Sequence, residues 1–343
     1  MLTGTSGPIR VRQSCAWGTS FRMLPVHRWF SFDDQWPLTV VEQLLDRFQV
    51  TSADVVYDPF VGCGTTALAA ATRECDTISR DANPIAALVT HFKLNPPLPE
   101  EIAPLVESIS PNWIREAFRD FSCGVQPQVS DGHLNLLRFL LAVAVLRTRW
   151  HLGSAWVEEE IASELRLLVA EISHDTKILP PSKAVHRIDC ADFLNLGAEL
   201  PISANRRAVL ITSPPFYGSD RNPRVQRLTG LLGLEWPALP DRPVNAHFAA
   251  ETHCLLEAQH LTAATLAEGA KHFDFLAEIA HHVTTVRCSD VAIEMSGAMV
   301  GEQWVPFDEF LGACLTASGY QVDLILPLEG RQECERLVCG RRA

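Results

Sequence analysis

The chain has 343 residues, 47% of them hydrophobic, and a formal net charge of −12 at pH 7. That length fits one large domain with an insertion or two modest domains, with ample apolar material for a core. The acidic balance excludes a protein that coats nucleic acid non-specifically, so any such contact is left to a local basic patch or a partner subunit.

The ten cysteines show neither a CxxC pair nor zinc-ligand spacing, and they read as reduced thiols in a cytoplasmic protein. No signal-peptide h-region opens the sequence. The longest apolar run, Leu136 to Leu146, contains Arg138 and is too short for a bilayer, so no membrane contact is expected.

In chain order, residues 1–23 are mixed polar with Gly and Ser, and are expected to be loosely ordered. Pro25-Val26-His27-Arg28-Trp29-Phe30-Ser31-Phe32 is an aromatic cluster. Trp36-Pro37 opens a helix, Pro37 in its first turn, with Leu38, Val41, Leu44, Leu45 and Phe48 on one face. Val55 to Tyr57 reads as a short buried parallel strand, ended by Asp58, Pro59 and Phe60. Gly62 and Gly64 supply a tight turn that lets backbone approach a ligand, and Thr65 or Thr66 caps the next helix. Strand, turn and helix start make the ligand mouth of a doubly wound sheet. A ligand bearing a carboxylate and an ammonium suits the helix end and the Asp58 carboxylate.

Asp76 to Asp81 is the second strand. Asp81 stands where such folds place a ribose-binding acid, or else caps the helix begun by Asn83-Pro84. Asn95 to Pro99 marks a boundary. From Glu100 to about Ile178 the pattern is helical: Trp113, Phe118 and Phe121 share a segment, Leu134 to Leu146 is apolar, and Val157, Ile161, Leu165, Leu168 and Ile172 form a stripe. Residues 96–181 read as a helical insertion serving as lid, target-contacting element or cover for the sheet.

Val185 to Ile188 is the third strand, closed by Asp189-Cys190-Ala191-Asp192-Phe193. Ala208 to Thr212, apolar on both faces, is the fourth. It delivers Ser213-Pro214-Pro215-Phe216 to the carboxyl edge of the sheet, beside the glycine turn. Tyr217 to Arg227 concentrates Arg221, Arg224 and Arg227 in an otherwise acidic chain, for phosphate contact or for surface ion pairs. Ala249 to Val283 reads as helical cover whose histidines show no metal-ligand pattern. Val291 to Met295 is a fifth strand, Phe307 to Ala317 a helix closed by Gly319, and Tyr320–Leu326 with Arg336–Cys339 a terminal hairpin.

Two motifs, Asp58-Pro59-Phe60-Val61-Gly62-Cys63-Gly64-Thr65-Thr66 and Thr212-Ser213-Pro214-Pro215-Phe216-Tyr217, together resemble those of the S-adenosylmethionine-dependent DNA amino-methyltransferases. The resemblance covers most of 24–340 outside the insertion. It implies an α/β, class I (Rossmann-like) methyltransferase fold with a seven-stranded, mostly parallel sheet and an antiparallel terminal hairpin. The catalytic domain would comprise 24–95 and 182–343.

The resemblance also implies S-adenosylmethionine held by Asp58, Pro59, Phe60, Gly62, Gly64, Thr65 and Thr66, with Asp81 on the ribose. Asp189, or second to it Asp192, is the acid at the adenine, with Cys190 in the same strand end. Phe32 or Trp29 lines the cofactor pocket, or else belongs to the core. Ser79-Arg80 departs from the Gly-hydrophobic pair that this family carries before the ribose acid. Ser213, Pro214, Pro215 and Phe216 are the implied catalytic residues and Tyr217, Arg221, Arg224 and Arg227 the nucleic-acid contacts, without a metal.

An exocyclic amine is a poor nucleophile because its lone pair is delocalised into the ring. Acceptors placed on its two N–H bonds localise that pair and aim it. Ser213 Oγ and the Pro214 carbonyl suit this role, the prolines stiffen the turn, and Phe216 offers a stacking face. No Pro-Cys dipeptide is present, which excludes the covalent route to a ring carbon. By the resemblance, Ser before Pro-Pro favours cytosine N4, with adenine N6 second. An RNA base as substrate, or a catalytically silent subunit acting through a partner, are the alternatives. Target recognition falls to the insertion, the arginine loop or another subunit.

Overall fold

Val55 to Tyr57, Ala208 to Thr212 and Val291 to Met295 are too apolar to leave either face in water, so helices must cover both sides of the sheet they build. The computed structural model describes residues 25–30, 32, 36–122, 131–148, 158–178, 182–193, 202, 205–218, 223–237, 261–327 and 335–343. Its central strands are β1 (Val55–Asp58), β2 (Asp76–Asp81), β3 (His186–Cys190), β4 (Ala208–Thr212) and β5 (Asp290–Ser296). A short hairpin of β6 (Ala298–Val300) and β7 (Gln303–Val305) follows, then β8 (Tyr320–Pro327) and β9 (Glu335–Arg342).

Seven strands pair in the order β3-β2-β1-β4-β5-β9-β8. The first five are mutually parallel, and β9 runs antiparallel to both neighbours. The architecture is a Rossmann-like α/β fold, with its order reversing between β1 and β4.

One face is covered by α1 (Leu38–Arg47), α2 (Thr65–Ala71) and α3 (Pro84–Leu94). Among the described residues four helices stand between α3 and β3: α4 (Pro99–Ser108), α5 (Pro111–Ser122), α6 (Asp131–Arg147) and α7 (Glu158–Ile178). Their apolar side chains share one core with Ala67 of α2 and Ile85, Val89 and Phe92 of α3. After β4 comes α8 (Pro223–Leu231). The opposite face is covered by α9 (Ala263–Thr285) and α10 (Phe307–Ala317), which enclose Tyr57, Leu210, Val291 and Ile293. Among the described residues no helix is long and apolar enough to cross a membrane.

Several expectations are corrected. The α2 N-cap is Gly64, at φ 87°, and no side chain caps it; Thr65 and Thr66 lie inside the first turn. Asn83, not Asp81, caps α3, its side chain accepting from the Ile85 N–H. Pro37 sits one position ahead of α1 rather than in its first turn. The third strand starts at His186 and runs to Cys190. The β6–β7 hairpin is too short to announce itself in an apolar pattern. Residues 1–23, Val157 and 249–260 lie outside the described residues.

Candidate active site

Because five strands are parallel, their carboxyl ends gather Asp58, Asp81, Cys190, Thr212 and Ser296 along one edge of the sheet. The two sequence motifs leave adjacent strands there. Asp58, the first residue of the glycine-turn motif, is 4% exposed. Its Oδ1 accepts from the Thr212 hydroxyl at 2.6 Å and from the Phe60 N–H at 3.1 Å. Thr66 also bonds this carboxyl group. Burial pushes Asp58 up to about 6 despite these donors, and the Asp81 charge adds to the rise.

The turn itself is held from below and from the side. Asp81 Oδ2 accepts from the Gly62 N–H at 2.9 Å and Oδ1 from the Asn83 N–H at 2.8 Å. Burial raises Asp81 to about 6, and the two N–H donors restrain the shift. Thr90 donates to the Gly62 carbonyl at 3.2 Å and Lys93 to the Cys63 carbonyl at 3.0 Å. A Cβ on Gly64 would stand 2.9 Å from Thr90 Oγ1, whereas one on Gly62 (φ 53°) would meet nothing within 4 Å. The space over Gly62 is therefore open. Thr65 and Thr66 are buried behind the turn, as is Pro59, while Phe60 is half-buried and packs on Phe193 and Phe275 with centroids at 5.0 and 5.8 Å.

The second loop follows β4. Ser213 is half-buried, Pro214 buried, Pro215 exposed and Phe216 half-buried against the core under α9. Among the described residues no hydrogen bond occupies the Ser213 hydroxyl. Tyr217 stacks on Phe307 at 5.5 Å and meets His272 edge-on at 5.6 Å. His272 in turn lies 5.7 Å from Phe275, so a row of rings on α9 joins the loop after β4 to Phe60 of the glycine turn. Burial lowers His272 to about 4, which keeps this row uncharged at neutral pH.

Other sequence-selected residues fall differently. Cys190 pairs in register with Asp81, but Asp189 pairs with Arg80. Asp189 Oδ2 is held by Arg80 and Arg187, each at 3.2 Å. Ser79-Arg80 thus supplies a cation that captures the acid chosen for adenine contact. Asp192 is buried just beyond the strand end. Trp29 is fully buried in the core, which settles its alternatives in favour of packing. Phe32 is half-buried, edge-on to Phe30 at 4.8 Å. Arg224 donates from Nη2 to the carbonyls of Val145 (2.6 Å) and Thr148 (2.7 Å), so it closes the end of α6 rather than standing ready for phosphate. Arg227 is exposed on α8, and Arg221 lies outside the described residues. No cluster of metal-ligating side chains occurs among the described residues.

Thr90, Lys93 and Asp175 were not singled out from sequence, and Thr212 was read only as the opening of the second motif. Lys93 and Thr90 carry a usable signal, since they interrupt an apolar helix and are nevertheless 2% and 0% exposed. Asp175, fully buried on α7, accepts from the Val26 N–H (2.8 Å) and Trp29 Nε1 (2.9 Å) and pairs with Arg28.

The chain is similar to the Type II methyltransferase M.BsoBI of Geobacillus stearothermophilus, at 26% identity over 116 residues, which is 32% of this chain and 23% of that protein. The match therefore spans about a quarter of that relative's length. No family model matches the chain.

Proposed function

We propose that this protein is an S-adenosylmethionine-dependent methyltransferase that modifies the exocyclic amino group of a base in DNA, cytosine N4 before adenine N6. The observation that carries this reading is the joining of the two motifs by the 2.6 Å Thr212–Asp58 hydrogen bond at the order reversal of the sheet. Similarity to a Type II methyltransferase supports the transferase class and DNA as substrate.

The residues present fit the cofactor. Open space lies over Gly62, and two carboxyl groups, Asp58 and Asp81, flank the turn. Asp81 has acceptor capacity left for ribose hydroxyls after taking two backbone N–H bonds. Bound there, S-adenosylmethionine supplies an electrophilic methyl group. The chain's own work is positioning. Ser213 Oγ, uncommitted to other described residues, and the Pro214 carbonyl accept from the two N–H bonds of the target amine, which localises its lone pair. Pro214 and Pro215 hold that loop rigid, and Phe216 stacks on a base drawn out of the duplex. Arg221 and Arg227 contact phosphate.

The test is transfer of labelled methyl from S-adenosylmethionine to DNA, tRNA and rRNA offered side by side, with sequencing of the DNA product to identify the base. Transfer to DNA that is lost in Ser213→Ala with an unchanged melting temperature is the expected result. Transfer to RNA alone assigns the same chemistry to another nucleic acid. Cofactor binding with no turnover on any of the three identifies a silent subunit.

A further inference from the structure

Lys93 is buried without an acid. It is 2% exposed, and no carboxylate of the described residues pairs with it. Its ammonium donates instead to two carbonyls, Cys63 O at 3.0 Å and Phe30 O at 2.5 Å. Burial pulls its proton affinity down. Nearby His27 is driven down to about 3 by burial and by Lys93, so it remains neutral and adds no second cation.

An ammonium in such a place is costly, and an apolar side chain of similar length would fill the same volume. The geometry gives the charge a use. Thr90 lies three residues before Lys93 on α3 and holds the Gly62 carbonyl. The two side chains thus draw two successive carbonyls of the glycine turn down onto α3. The C=O and N–H of one peptide unit point in opposite directions, so the Thr90 bond turns the Cys63 N–H away from that helix, while the carbonyl held by Lys93 shares its unit with the Gly64 N–H, which donates to the Val61 carbonyl at 2.9 Å. Lys93 Nζ stands beneath the turn. The same Nζ also ties the aromatic segment at Phe30 to the turn.

We propose that Lys93 is a positioning residue that makes the glycine turn selective for a cofactor carrying a carboxylate. The inference rests on the cofactor reading above. It acts through the Cys63 and Phe30 carbonyls and through space in a low-dielectric site, where a single charge outweighs its effect in water.

The experiment compares binding of S-adenosylmethionine and decarboxylated S-adenosylmethionine by calorimetry, with wild type, Lys93→Met and Lys93→Arg. Wild type is expected to prefer the carboxylate-bearing ligand by about tenfold or more. Lys93→Met is expected to reduce that preference below about threefold by losing affinity for S-adenosylmethionine alone, and Lys93→Arg to restore part of it. Equal loss for both ligands in Lys93→Met means a purely structural lysine and overturns the proposal. Independently of any variant's folding, a wild-type preference below about threefold also overturns it. Failure of wild type to bind either ligand is a different result, since it refutes the cofactor reading itself.

Discussion

Thr212 donates to Asp58 at 2.6 Å across the junction of β1 and β4, and 154 residues of sequence separate the two. Each closes a strand, and each opens a motif that bears on chemistry. The bond therefore sets the distance between the glycine turn and the Ser213 loop. Thr212 is fully buried and Asp58 nearly so, hence its loss leaves a carboxyl group short of a donor in a dry setting.

Thr212→Val keeps the shape and removes that donor. It should destabilise the protein by about 1–3 kcal/mol. Cofactor affinity and methyl transfer should fall together, because both loops lose their shared reference. Thr212→Ser should recover most of both. Thermal melting with calorimetry and a transfer assay measures all three, and a Val variant with wild-type affinity would show that the bond is incidental.

Asp81 predicts a pH dependence with a definite sign. Its pKa rises from 3.8 to about 6 on folding, as does that of Asp58. As pH falls from about 7 toward 4, the native carboxyl groups take up protons before the unfolded ones, so these two groups add relative stability over that window. Ligand binding runs the other way. A ribose hydroxyl or an ammonium loses its charged acceptor, and affinity for S-adenosylmethionine should drop as pH falls through about 6, by at most about tenfold per unit for each group. Asp81→Asn should bind weakly at neutral pH and show a flatter profile. A wild-type affinity unchanged between pH 7 and pH 5 would separate both carboxyl groups from the ligand.

The strands were legible because burial on two faces writes itself into composition. Asp76–Asp81 and Ala208–Thr212 match their sequence-assigned bounds residue for residue. The relative placement of the two motifs also follows from the strand pattern, since parallel strands put their carboxyl ends on one side. What escaped is whatever depends on contacts between distant segments. The Arg224 guanidinium looks like a phosphate ligand in a basic loop, and only the fold shows that α6 ends where its donors reach. The Asp189 carboxylate looks available until β2 and β3 pair in the register that sets Arg80 opposite it. A threonine after glycine looks like a cap, yet the left-handed Gly64 takes that position itself.

Gly64 bears a substitution test of the turn. At φ 87° a side chain is strained, and a Cβ would press on Thr90 Oγ1 at 2.9 Å. Gly64→Ala should therefore cost about 1–3 kcal/mol and displace the Thr90 hydroxyl from Gly62. Combining it with Thr90→Ser, which removes a methyl group but keeps the donor, should return part of the loss. Gly62→Ala meets no atom and should cost only the strain of its positive φ, about 1 kcal/mol, while intruding on the open space proposed for the cofactor. The informative contrast is stability against affinity: Gly64→Ala should lower both, and Gly62→Ala chiefly affinity. The reverse pattern would place the ligand elsewhere.

Asp175 links the helices between β2 and β3 to the segment 25–30. Its carboxylate takes the Val26 N–H, the Trp29 indole N–H and the Arg28 guanidinium. Val26 is β-branched and holds φ 66°, a conformation that persists only where surrounding bonds over-determine it. Asp175→Ala strands a buried indole donor and removes the counter-charge of Arg28, which should destabilise the fold by about 3–5 kcal/mol. Asp175→Asn keeps an acceptor for one N–H and should lose roughly half as much. Segment 25–30 leads directly to the Phe30 carbonyl held by Lys93. Releasing its far end should therefore weaken cofactor binding as well as stability, even though Asp175 touches neither motif. Hydrogen exchange across residues 26–30 in Asp175→Asn, with and without S-adenosylmethionine, reads this coupling. Faster exchange that the cofactor suppresses is expected, whereas exchange indifferent to the cofactor would confine Asp175 to packing.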